Sequence, residues 1–290
     1  MEAQKTSSTK KWLLGCGIGC GAVIIIGIIL VVAGVFFVKN MVTSFEESED
    51  VLRDLTEKYG EVHEYVPSPS GAIDSGRIEA FLRARDLIRP EIRELEQTFD
   101  ILSDEREQKK GTKRESPGVF KKIRTGIGMI PKIAEFLKKR NQALIEVEMG
   151  IGEYYYIYTI AYYCWLDKPV TEGVPININQ ENEFDYQYWE DEESQEIRRD
   201  LAVRRLNKML HPMLKNQYDN IGETSDREVS EEWKEALKKE IKAMEKDRYR
   251  IVWQDGLPEV IVSSLRPYAD RLESSYSSLL NNLELLLEQR

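Results

Sequence analysis

The sequence predicts an all-α protein, with an N-terminal transmembrane helix followed by an extracytoplasmic bundle of long, proline-kinked helices. Three observations carry that expectation. Residues Trp12 to Val38 form a run of 27 without a single charge. Beyond it, apolar residues recur at helical spacing along most of the chain. No convincing strand alternation interrupts them, and the one candidate, "VPININ" at Val174–Asn179, sits in a loop.

The charge-free run comes first. At 1.5 Å per residue it would make a helix about 40 Å long, more than the ~30 Å hydrocarbon core of a bilayer requires. A signal peptide has an apolar region of about 7–15 residues, much shorter than this one, although Val31-Val32-Ala33 would serve as a cleavage site. "LLGC" (Leu13–Cys16) resembles an acylation box, but the apolar stretch follows Cys16 instead of preceding it. Palmitoylation of Cys16 or Cys20 is the remaining alternative. An uncleaved anchor accounts best for the length. Lys5, Lys10 and Lys11 precede it, whereas Lys39 is soon followed by Glu46, Glu47, Glu49 and Asp50. Basic residues are retained in the cytoplasm, so the arm is expected inside and everything after Asn40 outside. The expected division is a cytoplasmic arm at 1–11, the anchor at 12–38, a helical stalk and linker at 39–66, and an extracytoplasmic helical domain at 67–290. Gly15, Gly17, Gly19 and Gly21 put small residues at four-residue spacing and mark a candidate helix-dimer face. The general abundance of glycine in membrane helices explains the same pattern.

The elements after the anchor follow in order. Val42, Phe45, Leu52, Leu55 and Tyr59 make an amphipathic stalk that ends at Gly60. "PSPSG" (Pro67–Gly71) breaks it. Asp74 or Ser75 caps the next helix, in which Ile78, Phe81, Leu82, Leu87 and Ile88 are expected to face one way. A charged loop at about Asp104–Pro117 leads to a helix with Val119, Ile123, Ile127, Ile130, Ile133 and Leu137. Further helices are expected at about Glu192–Asn220, about Val229–Ile251 and Pro258–Glu288. Pro90, Pro131, Pro212 and Pro267 fall within helical periodicity, where proline removes a donor and bends or restarts the helix. "IRPEIRELEQTF" (Ile88–Phe99) and "LRPYADRLESSY" (Leu265–Tyr276) share apolar-Arg-Pro, then Leu-Glu, then an aromatic. A duplicated unit and coincidence among similar amphipathic helices both account for this echo.

Charge excludes one class of partner. Setting aside Lys5, Lys10, Lys11, Lys39 and Glu2, the remaining 37 basic and 50 acidic residues leave a net charge of −13, unsuited to nucleic acid. Within that total, Glu105–Arg140 carries twelve basic against four acidic residues, and Glu172–Asp200 carries ten acidic against two basic. A solvated helix face with a loop is the default reading of the basic segment; anionic lipid, a protein partner and docking of the two segments on each other are the alternatives. Cys164 is the one cysteine after the anchor, so an internal disulfide framework is excluded there. The same region lacks an Asn-x-Ser/Thr acceptor, which favours a bacterial envelope, with the domain on the periplasmic side of the inner membrane.

Chemistry concentrates in "GEYYYIYTIAYYCWLDKP" (Gly152–Pro169). On a helix, Tyr154, Tyr158 and Tyr162 form one stripe, and the apolar or aromatic character runs round the whole circumference. A helix of that kind is surrounded by others. Each buried hydroxyl needs a partner, which a groove for a ligand or protein partner lined by Tyr154, Tyr155, Tyr158 and Tyr162 would supply; so would packing in the core. His63 and His211 are the only histidines, with no metal-binding spacing, and Cys164 reads as an inert buried thiol. No nucleophile elbow, phosphate loop or dinucleotide fingerprint occurs, so no catalytic residue, cofactor or metal is assigned.

"RIEAFLRARDLIRPEI" together with "NQALIEVEMGIGEYYYIY" resembles uncharacterised single-pass helical envelope proteins of bacteria. That resemblance implies an address and brings no activity with it. The expected function is therefore non-enzymatic: an envelope binding, scaffold or assembly factor, held by its anchor, with a protein partner and with homo-oligomerisation through the anchor. The alternative is an anchored enzyme or ligand-binding receptor that uses the Tyr-rich helix at 153–166.

Overall fold

Gly60 ends the first helix, α1 (47–59), at φ +84°, a left-handed conformation that glycine adopts without a Cβ clash. Its N–H closes the last turn on the Thr56 carbonyl at 2.8 Å. The computed structural model describes residues 47–98, 119–173, 177–178, 184–185, 192–223, 229–278 and 281–286. Two units divide the chain, Met1–Glu46 and Glu47–Arg290, and the second contains all of these residues. The anchor expected at 12–38 and its glycine face at Gly15, Gly17, Gly19 and Gly21 lie outside the described residues. Among the described residues, no helix is long and apolar enough to cross a membrane.

After α1, a 3-10 turn at Val62–Glu64 is closed by the Glu64 carboxylate accepting from the Glu61 N–H at 2.8 Å. Asp74 then caps α2 (Ser75–Leu87) by accepting from the Gly76 N–H at 2.8 Å. Ile78, Phe81 and Leu82 are buried on its inner face, as expected. Leu87 is not: it is 39% exposed, and Arg85 is buried in its stead. Helical geometry gives the reason. Arg85 lies two turns beyond Ile78 on nearly the same face, whereas Leu87 falls half a turn further round.

Ile88 closes α2, and α3 (89–98) carries Pro90 in its first turn, where the missing N–H costs little. Both α4 (Val119–Glu146) and α6 (Glu192–Glu223) are long and contain an internal proline, Pro131 and Pro212. Between them, α5 (Ile151–Tyr158) continues directly into a π-helical segment, Thr159–Trp165. Strands β1 (Asn177–Ile178) and β2 (Phe184–Asp185) pair antiparallel, two residues each, within and just after the expected strand candidate. Ser230 caps α7 (Glu231–Lys246) through the Trp233 N–H.

The last expected helix is broken. In place of one run from Pro258 to Glu288 stand α8 (Glu259–Leu265), a 3-10 turn (Arg266–Tyr268), α9 (Ala269–Ser275) and α10 (Asn281–Leu286). Pro267 removes a donor and tightens the first junction. At the second, Tyr276 turns extended, while the Ser274 and Ser275 hydroxyls donate back to the Arg271 and Leu272 carbonyls. The two echoed segments do share a place in their own elements: Ile88 and Leu265 close one helix, and Leu95 and Leu272 are buried in the next.

Every residue of α5 is buried, so this helix is the centre of the helical bundle. α1 contributes Leu55, α2 Phe81, α4 Phe136, α6 Leu206 and Leu210, and α7 Leu237, each with almost no exposure. Gly152 shows how closely the first 3-10 turn is seated on α5. A Cβ at this position would lie 2.4 Å from the Val62 carbonyl oxygen and 2.7 Å from the Tyr65 Cβ. Because backbone cannot swing aside, Gly152→Ala is expected to cost about 1–3 kcal/mol in thermal or denaturant unfolding. Unchanged stability would mean that the turn rides loosely on α5.

Candidate functional site

Four helices and a π-helical segment converge on one buried polar cluster. Arg85 comes from α2, Arg140 and Asn141 from α4, Tyr154, Tyr155 and Tyr158 from α5, and Asn281 and Glu284 from α10. The π-helical segment adds Tyr162 and Tyr163. In a π-helix, residues five apart lie over one another. The Leu166 N–H accordingly reaches the Ala161 carbonyl at 3.0 Å, and Tyr158 and Tyr163 come to point at the same acceptor.

That acceptor is the Asn281 side-chain oxygen, at 2.9 Å from the Tyr158 hydroxyl and 2.5 Å from that of Tyr163. The other side of the amide donates to the carbonyls of Pro169, Val170 and Glu172 at 3.4, 3.4 and 3.1 Å. Three residues on, Glu284 receives Arg85 on one carboxylate oxygen and the Tyr154 hydroxyl on the other. The Arg85 guanidinium also donates to Tyr154 at 2.8 Å and twice to the Ser275 carbonyl, at 3.2 and 2.9 Å. Arg140 donates to the Tyr155 hydroxyl at 2.7 Å, and Tyr155 in turn donates to the Glu284 carbonyl at 2.9 Å. Tyr162 shares a hydrogen bond of 2.8 Å with the Ser275 hydroxyl.

All four tyrosines of the candidate groove are thus brought together, at no more than 1% exposure, with their hydroxyls bonded to protein groups. The partners of these hydroxyls are Glu284 and Asn281 of α10 and Ser275 of α9. Arg140, counted at sequence level in a basic surface segment, is also buried, its guanidinium 5.6 Å from the Tyr155 ring. Sequence reasoning missed Arg85, Asn281 and Glu284. The signal for Arg85 was its place two turns after Ile78; for the other two it was only their three-residue spacing around Leu283, which is fully buried.

Electrostatics follow from the burial. Desolvation opposes the charge of Arg85, but Glu284, with Tyr154, Tyr162 and Tyr158, holds its pKa well above the usual range. Burial pushes the hydroxyls of Tyr154, Tyr158 and Tyr163 far up, with that of Tyr162 raised as well. Tyrosines of the unfolded chain ionise near pH 10, before their folded counterparts, so the unfolded state sheds protons first. The stability these groups contribute is complete below about pH 10 and declines as pH rises beyond it. In an alkaline titration, phenolate absorbance from the cluster is expected to appear together with the loss of helical circular dichroism. Ionisation with helicity retained would mean that these hydroxyls reach water.

Cys164 lies beside the cluster, partly buried. Its thiol donates to the Val252 carbonyl at 3.2 Å, and burial raises its pKa, the reverse of what a nucleophile needs. Among the described residues, no three His, Cys, Asp or Glu side chains come together as a metal site would require.

A second feature opens outward. A cavity of ≈ 330 Å³ lies between α7 and the loop before α8, lined by Trp233, Lys239, Glu240, Trp253, Asp255 and Gly256 among others. Its two tryptophan rings are 5.7 Å apart. Trp253 sits at φ +57°, and Glu240 holds it there by accepting its backbone N–H at 2.7 Å. Arg250 bridges Glu240 and Asp255, both at 3.0 Å, and its hydrogen bond lowers the pKa of Asp255. Trp233 is fixed from behind: its indole donates to the Pro69 carbonyl at 2.9 Å, and Gly71, at φ +77°, lies so close that a Cβ would fall 2.6 Å from the ring.

Fold and cluster together define an all-helical domain closed round a buried arginine–tyrosine–glutamate network. Compared with models of protein families, with curated proteins and with solved structures, the chain matches none.

Proposed function

We propose that this chain is a single-pass, membrane-anchored helical protein of the bacterial envelope that works by binding, as a scaffold or assembly factor, without catalysis. Its anchor is the charge-free run from Trp12 to Val38, and its helical domain stands outside the cytoplasm. The observation that carries the reading is the Arg85–Tyr154–Glu284 cluster. Its groups satisfy one another in the core, an arrangement that holds chain segments together and offers no free acid, base or nucleophile to a substrate. A second reading, a ligand receptor built on the Tyr-rich helix at 153–166, gains from the way Tyr158 and Tyr163 both recognise one amide oxygen. The anchored state is tested by a fusion placed after Arg290. A reporter that is active only outside the cytoplasm is expected to work there, and activity of a cytoplasm-only reporter at the same site would overturn the orientation.

A further inference from the structure

Among the described residues, four large apolar side chains stand exposed, and three of them belong to α6 and the turn beside it. Ile197 and Leu201 lie one turn apart on α6, 49% and 45% exposed. Arg204 and Lys208, both exposed, continue the same stripe at steps of three and four residues. The third apolar group, Tyr249, comes from the turn after α7, and the Arg204 guanidinium lies 6.0 Å from its ring centroid. Arg248, next to it in the turn, is exposed as well.

The charge of this surface runs against that of the chain. Residues 198–208 hold Arg198, Arg199, Arg204, Arg205 and Lys208 against Asp200 alone. Asp200 lies 3.8 Å from Arg199. Arg205 is the informative member. It is half-buried, burial lowers its pKa, and among the described residues no carboxylate or carbonyl receives its guanidinium. Withdrawing a charge from water without an acceptor is costly, and an anion bound from outside would relieve that cost.

We propose that this surface rests on the anionic headgroups of the membrane that holds the anchor. Apolar side chains set among basic ones along an exposed helix suit such an interface: Ile197 and Leu201 enter the acyl boundary while the arginines and Lys208 meet phosphate. Tyrosine belongs at the same boundary. The net charge of −13 beyond the anchor is screened over a Debye length of about 8 Å, so the local positive charge decides at contact. The proposal rests on the anchored reading above, because tethering keeps the surface at high local concentration beside lipid.

The test uses the full-length chain with a benzophenone amino acid in place of Leu201. It is reconstituted into vesicles of phosphatidylglycerol and phosphatidylcholine, or of phosphatidylcholine alone, floated, and irradiated. The expected result is a lipid adduct at position 201 in the anionic vesicles. It should fall by about tenfold or more in phosphatidylcholine alone, and equally when the chain also carries Arg204→Glu, Arg205→Glu and Lys208→Glu. A chain that floats with the vesicles but gives no lipid adduct, or gives the same yield in both lipids, would overturn the proposal and leave the anchor standing. So would a crosslink to protein in place of lipid. A chain that fails to float would overturn both readings. Should the triple variant not fold, the two lipids compared on the otherwise unchanged chain still decide.

Discussion

Replacing Arg85 with Ala is expected to lower the unfolding free energy of the Glu47–Arg290 unit by about 3–5 kcal/mol, the cost of breaking a buried ion pair from one side. The side chains of Arg85 and Glu284 are each 1% exposed, so solvent cannot replace the lost partner. Glu284 would be left with the Tyr154 hydroxyl alone, and the Ser275 carbonyl would lose two donors. The cost belongs to the uncompensated charge more than to the attraction between the pair. A double variant, Arg85→Met with Glu284→Leu, should therefore recover much of the loss, because well-packed apolar residues often substitute for a buried pair without penalty. Denaturant unfolding of the three proteins decides it. A single variant within 1 kcal/mol of wild type would mean that α10 is not seated on the arginine–tyrosine cluster in solution.

The second large effect is expected at Ile157. This side chain has no exposed surface, and its neighbours on α5 are buried in every direction. Ile157→Ala should cost about 2–5 kcal/mol, the lost transfer energy plus the cavity left behind. Ile197 on α6 provides the contrast, since it is 49% exposed, and its truncation should change stability by no more than about 0.5 kcal/mol. Equal melting temperatures for the two variants would place the 157 face in contact with water.

Much of the helical fold was legible because one amphipathic helix can be read without its neighbours. Asp74 as a cap, Gly60 as a stop and the all-round apolar character of Ile151–Tyr158 are local signals, and each corresponds to a described feature. Leu87 and Arg85 show the limit of that method. Hydropathy assigns Leu inward and Arg outward, but position on the helix outweighs hydropathy when a charged partner waits in the core. The break at Tyr276 was hidden for a related reason, since the leucines after it keep a helical rhythm that α10 resumes only after an extended link. The tyrosine stripe was visible, whereas what fills it was not, because Asn281 and Glu284 meet partners 109 to 199 residues away along the chain. The π-helical register at Thr159–Trp165 likewise comes from packing, and a period fitted to ordinary helix misses it.

The separation of Arg85 from Glu284 by 199 positions also sets a clock. At a translation rate of roughly 5–20 residues per second, a ribosome needs some ~10–40 s to add the carboxylate after the guanidinium has emerged. Throughout that interval the nascent chain carries an arginine destined for its interior with no counter-ion to receive it. The core around α5 can gather early from its local helices, but its final closure waits until Glu284 has been made. Long-range contacts of this kind slow folding, and they leave an unfinished chain open to whatever newly made neighbour arrives first.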